Sequence, residues 1–118
     1  MGEYRNAVLD AVFGAISDST RRTILARLAV ADARVTEVAG DFSISLNSVS
    51  KHVRMLERAG LVRREVRGRD HVLSLDAAPL AEVAQWLDHY QRFWEERLEA
   101  LEKFVTHKHK ITRKRKRR

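Results

Sequence analysis

Residues 45–62 read Ser45-Leu46-Asn47-Ser48-Val49-Ser50-Lys51-His52-Val53-Arg54-Met55-Leu56-Glu57-Arg58-Ala59-Gly60-Leu61-Val62. Val49, Val53 and Leu56 step by four and three, which lines one face of a helix. Ser45 suits the cap before that helix, and Gly60 suits its C′ end. The spacing predicts a helix over 46–59 whose outer face opens with short polar side chains. After Gly60 the period falls to two. Residues 61–67 and 71–75 read as strands, joined through Gly68-Arg69-Asp70 as a hairpin turn.

Working toward the N-terminus, Phe42-Ser43-Ile44 is a tight connection from a short helix over 35–41, with Val35, Val38 and Ala39 facing inward. Before it, Ile24, Leu25 and Leu28 define the buried side of another helix, with Arg21, Arg22 and Arg27 placed elsewhere. Ser17-Asp18-Ser19-Thr20 breaks the chain ahead of that helix, and Asp18 is the expected cap. Val8, Leu9, Val12, Phe13 and Ile16 give residues 4–16 a helical stripe.

Toward the C-terminus, Asp76 is expected to cap a last helix, with Pro79 in its first turn. Leu80, Val83, Leu87, Tyr90, Trp94, Leu98, Leu101 and Val105 continue one apolar stripe over 77–105, about 43 Å at ~1.5 Å per residue. Trp86, Phe93 and Phe104 add to it. A domain this small is not expected to cover so much apolar helix alone, so the stripe calls for a second copy of the chain; the alternative is a helix folded fully back on its own core. Val8, Val12, Leu87, Tyr90, Trp94, Leu98 and Leu101 are the candidate dimer contacts.

The 118 residues make one domain, read here as 3–105, followed by a basic tail over 106–118 that is expected to be disordered. The net charge of +7 is unevenly spread. Residues 108–118 hold eight Lys or Arg and no acid; without them 15 basic residues face 16 acidic ones. Within the domain, residues 34–69 carry a net +4 and residues 76–105 a net −4. One stretch is built to meet an anion and the other to avoid one. With no cysteine, disulfides, thiolate zinc sites and iron–sulfur clusters are excluded.

Two short helices joined by a tight turn and followed by a basic hairpin predict a winged helix-turn-helix: mostly α with a small β-hairpin, in the order α-α-α-α-β-β-α. A major groove admits one helix, whose short polar residues near the N-terminus reach base edges. The candidate DNA-binding residues are Thr36, Ser45, Leu46, Asn47, Ser48, Ser50, Lys51, His52 and Arg54, with Arg64, Arg67 and Arg69 on the hairpin. Alternation sets Arg63 and Arg67 on one face of the hairpin and Arg64 on the other. Arg69, at the tip, is best placed to enter a flanking minor groove.

Ser17-Asp18-Ser19-Thr20-Arg21-Arg22-Thr23-Ile24-Leu25 resembles the opening motif of the ArsR/SmtB family of bacterial transcriptional repressors. Residues 49–53 and 56–62 resemble that family's recognition segment, and residues 86–98 look like one of its metal-independent branches. The resemblance implies a homodimer built on the first and last helices. It also implies an inverted-repeat operator, repression, and an approach of His52 to the DNA backbone. Ser19 stands where relatives often have Pro, and Leu46-Asn47 where many have Gln-Pro. Leu46 cannot make a bidentate amide contact to adenine but can touch a thymine methyl.

Arg34-Val35-Thr36 occupies the family's Cys-Val-Cys metal position without a thiolate. Asp88 and His89 are neighbours that face different directions on a helix. No metal and no cofactor is therefore expected, and a loose zinc contact at His107 and His109 is the weaker reading of the tail's edge. No nucleophile elbow or phosphate-cradling glycine loop is present, so an enzyme is not expected. The reading is of a cytoplasmic, nucleoid-associated regulator that partners double-stranded DNA and no membrane, its effector ligand or protein unassigned. A winged-helix protein-interaction module, or a ligand- or metal-responsive sensor of the same family, is the alternative.

Overall fold

The computed structural model describes residues 2–108. The described residues form two compact units that divide after Val83. The element order is α1 (Gly2–Ile16), α2 (Ser19–Val30), β1 (Ala33–Arg34), α3 (Val35–Ala39), α4 (Leu46–Arg58), β2 (Val62–Arg67), β3 (Asp70–Leu75) and α5 (Ala78–Lys108). Helices, turn and hairpin fall where the periodicity puts them. The addition is β1, a two-residue strand too short to show any period.

Local chemistry fixes the boundaries. Asp18 accepts a hydrogen bond from the Arg21 amide at 3.0 Å and starts α2. Ser45 does the same for Ser48 at 3.1 Å and starts α4. α4 ends in a Schellman motif: the Gly60 amide donates to the Glu57 carbonyl and the Leu61 amide to the Leu56 carbonyl, both at 3.0 Å. Gly60 takes φ +78° to allow this, a conformation costly for any residue with a Cβ. The Asp76 carboxylate accepts from the Ala78 amide at 3.0 Å, which opens α5 one residue later than the sequence suggests. α5 then runs to Lys108, three residues beyond the expected end. Of the basic tail, residues 109–118 lie outside the described residues.

The core of the first unit is built from Leu9 and Val12 of α1, Ile24, Leu25 and Leu28 of α2, Val38 of α3, and Val49, Val53 and Leu56 of α4. Leu61, Val62, Leu73 and Val83 close it. The sheet has the order β1-β3-β2, all antiparallel. Val62 pairs with Leu75 and Arg67 with Asp70, leaving Gly68-Arg69 as a two-residue turn. Gly68 has φ +60°, as a turn of type II′ requires at its first central position. On the other side of β3, Ala33 pairs with Leu73 and Arg34 with Val72. The hairpin is thus stitched to the segment that leads into α3.

Two expectations about burial are corrected. Val12, read as a dimer contact, is 0% exposed within its own subunit and has no surface left for a partner. Arg21, placed away from the buried side of α2, is 8% exposed. It sits three and four residues before Ile24 and Leu25, on the same helical face. Val8 is half-buried.

Candidate nucleic-acid interface

α4 presents Asn47, Lys51, Arg54 and Arg58 to solvent, spaced four, three and four apart along its outer ridge. Leu46 is 49% exposed at its first turn. Ser45 is exposed but occupied as the cap, its hydroxyl also donating to Ser48 Oγ at 3.1 Å. Ser48 and Ser50 are half-buried on the two flanks of that ridge, and Thr36 is exposed on α3. The structure thus brings Leu46, Asn47, Ser50, Lys51 and Arg54 together on one helix surface.

Between the start of α4 and the hairpin lies an open cleft of about 250 Å³. Arg34, Val35, Thr36, Leu46, Ser50, Arg64, Arg69, Asp70 and His71 line it. Arg69 stands exposed at the hairpin tip, as anticipated. Arg67 is exposed too, but engages Glu65 at 2.8 Å. That contact holds the Glu65 carboxyl below its ordinary value.

Arg64 departs from its expected role. It shares the inner face of β2 with Val62 and turns toward α4, not toward open solvent. Its Nη2 donates to Glu57 Oε1 at 2.9 Å and its Nε to Glu57 Oε2 at 3.1 Å. Both side chains are about three-quarters covered. The hydrogen bonds to Glu57, opposed by partial burial, raise the guanidinium pKa above its ordinary value. Arg64 Nη1 also meets His71 Nδ1 at 3.0 Å. Arg64 is a brace between hairpin and helix, and its nitrogens are largely committed.

The opposite flank of α4 carries a second brace. Arg21 Nε donates to the Ala15 carbonyl at 2.7 Å and Nη2 to the Gly14 carbonyl at 3.2 Å. Arg22 Nη1 donates to the Ile16 carbonyl at 2.7 Å. Two consecutive arginines thus help to satisfy the carbonyls at the end of α1, where Ser17 Oγ also donates to the Gly14 carbonyl at 2.7 Å, and they place a favourable charge at that helix pole. Arg21 Nη1 then reaches across to His52 Nδ1 at 3.1 Å and Met55 Sδ at 3.3 Å on α4. Asp18 Oδ2 lies 3.8 Å from His52 Nδ1. The Arg21 amide, with help from the Arg21 charge, keeps the Asp18 carboxyl below its usual range.

Sequence reading missed Arg21 and Glu57 as the partners that aim α4. The signals were there. Positions 21, 24, 25 and 28 complete a buried helical stripe, and alternation puts Arg64 on the inner face of β2 with Val62.

The helix-turn-helix domain family matches residues 16–65, the span from the end of α1 through most of β2. The chain is 38% identical over 94 residues to the HTH-type transcriptional regulator Rv2034 of Mycobacterium tuberculosis, covering 80% of this chain and 83% of that one. Among solved structures, an ArsR-like transcriptional regulator from Rhodococcus sp. RHA1 superposes with a TM-score of 0.75. It is 33% identical, with 88% of this chain and 96% of that one covered. The chain belongs to the ArsR family of winged helix-turn-helix transcriptional regulators. The regulator is also 36% identical over 76 residues to the transcriptional repressor SdpR of Bacillus subtilis, covering 64% and 84% of the two chains. These relatives are transcriptional regulators.

α5 carries the rest of the predicted dimer set. Leu87, Tyr90, Trp94, Leu98 and Leu101 are between 45% and 59% exposed, and Phe104 and Val105 extend the same apolar surface. Trp86 stacks on Tyr90 with centroids 5.1 Å apart, and Tyr90 meets Trp94 edge-on at 6.0 Å. No helix among the described residues is long and apolar enough to cross a membrane.

Proposed function

We propose that the regulator is a homodimeric repressor that binds an inverted repeat in double-stranded DNA and needs no metal effector. The observation that carries this reading is the outer ridge of α4. Asn47, Lys51 and Arg54 stand in solvent on a helix that is braced on both flanks, beside a hairpin tipped by Arg69. A braced helix enters a major groove without first having to be ordered. Asn47 and Leu46 are set to read base edges, Lys51 and Arg54 to meet phosphates, and Arg69 to reach the neighbouring groove.

The apolar face of α5 supports the twofold. A monomer rarely leaves such a contiguous patch to water, and an isologous pairing covers it on both copies at once. Repression follows the character of the SdpR relative. Metal independence rests on Arg34, Val35 and Thr36, which offer no thiolate. The basic tail adds a sequence-blind attraction to phosphate. Nucleoid association in the cytoplasm goes with that role.

The test is to sequence the DNA that the protein retains and to sediment the protein alone. The expected result is an enriched inverted repeat, with half-sites about one helical turn or a multiple apart, and a particle of twice the chain mass. Retention of unrelated fragments, or a single chain at working concentration, overturns it.

A further inference from the structure

Among the described residues, Arg21 is the charged side chain buried in the core, and the reading above gives it no part in binding. A guanidinium has five N–H donors and no acceptor. A nitrogen 3.1 Å from Arg21 Nη1 must therefore offer a lone pair, and that nitrogen is His52 Nδ1. Asp18 Oδ2, at 3.8 Å, is too far to take a hydrogen from Nδ1, and it already accepts from the Arg21 amide. A neutral imidazole whose Nδ1 accepts carries its hydrogen on Nε2. Among the described residues, no hydrogen bond occupies His52 Nε2, and 23% of the side chain remains exposed.

We propose that Arg21 is a positioning residue for DNA binding. By donating to Nδ1 it holds His52 as the Nε2–H tautomer, an uncharged donor for a backbone phosphate oxygen. The proposal rests on the DNA-binding reading above. It differs from a charged phosphate contact in one respect, and the tautomer signal and the His52→Gln rescue separate it from a merely structural role. An uncharged donor releases no counterion, so its loss weakens binding without changing the salt slope.

The experiment uses the full chain, labelled with nitrogen-15 in histidine, and a duplex of arbitrary sequence about three helical turns long. Long-range proton–nitrogen spectra of the free protein report the His52 tautomer, assigned by the signal that His52→Asn removes. Asn places its amide near the position of Nδ1, so it preserves a partner for Arg21 and drops the outer donor. His52→Gln reaches toward Nε2 and keeps a donor there. The expected results are an Nε2–H signal, roughly tenfold weaker binding by His52→Asn, and near-wild-type binding by His52→Gln. The salt slopes of all three proteins should match. Arg21→Lys should shift the tautomer signal; should that variant fail to fold, the two His52 variants still decide. An Nδ1–H signal, an imidazolium, His52→Asn binding as wild type does, or a slope lowered by about one overturns the proposal. A wild-type chain that leaves the duplex free at low salt overturns the phosphate contact together with the DNA reading. The tautomer signal then separates that failure from a failure of the Arg21–His52 contact.

Discussion

Arg64 closes a two-pronged ion pair on Glu57, 2.9 and 3.1 Å from its two carboxylate oxygens, and so locks β2 against α4. Paired planar groups of this kind are the stronger class of ion pair, and this one is largely shielded from water. Removing either partner leaves the other charge half-buried and unmatched. Arg64→Met and Glu57→Gln should each lower stability by about 1 kcal/mol in urea unfolding. The double variant should lose less than the two singles added together. Strict additivity would show that the pair contributes nothing.

The two glycines at helix ends should respond with opposite signs. Gly60 needs φ +78°, while a Cβ there would meet Pro79 Cγ at an ordinary 3.5 Å. The cost of Gly60→Ala is therefore one of backbone conformation, about 1 kcal/mol. Gly14 lies within α1 with nothing inside 4 Å of an added Cβ. Gly14→Ala should stabilise by a few tenths to about 1 kcal/mol. Thermal unfolding of both variants at one protein concentration checks the pair.

Acid should loosen specific joints. Asp18, Glu37 and Asp76 all titrate below their ordinary values. Amide hydrogen bonds from Arg21, Arg34 and Ala78 are the leading causes, and Arg63 adds to the effect at Asp76. A carboxylate depressed in the fold stabilises it above the unfolded value of about 4. That contribution is lost as pH falls through the folded value. Stability should hold from neutrality to about pH 5 and decline below about pH 4. Asp18→Asn and Asp76→Asn should each flatten that acid limb in pH-dependent urea unfolding.

Charge and base reading should separate on α4. Lys51→Ala should weaken binding to all duplexes alike and lower the salt slope by about one per subunit engaged. Asn47→Ala should leave the slope alone and narrow the affinity gap between preferred and unrelated sites. Binding titrations at several salt concentrations distinguish them. If neither variant changes affinity or selectivity, α4 is not the reading helix.

The exposed face of α5 provides a test of assembly. Leu98 is 59% exposed in the single chain, so Leu98→Glu should not disturb the core of residues 1–83. If a second copy covers that face, the substitution buries a charge in the interface. Sedimentation should then show single chains while helical circular dichroism persists. A dimer of unchanged stability would place the twofold elsewhere.

Much of this was legible in the sequence because the signals are local. Ser45, Asp18 and Gly60 each act within a few residues, and Val49, Val53 and Leu56 need only the helical period to declare their face. β1 escaped because Ala33 and Arg34 form a strand only through β3, some forty residues away. Arg21 escaped because a charged residue on an apolar stripe reads as a misfit until the α1 carbonyls it serves are in view. Arg64 was read as a groove contact because its partner Glu57 lies across the turn at Gly60, outside any helical or strand spacing. Val12 was assigned to a partner copy because a stripe alone does not say which side of it the subunit's own core uses up.

The placement of β3 between β2 and the two residues of β1 has a mechanical consequence. The hairpin is no loose flap. Its inner strand is knitted to the entrance of α3, and Arg64 pins its other strand to α4, so tip and reading helix keep a set separation. A duplex bound as proposed meets a caliper, which gauges the width from one groove to the next and discriminates against sequences too stiff to conform.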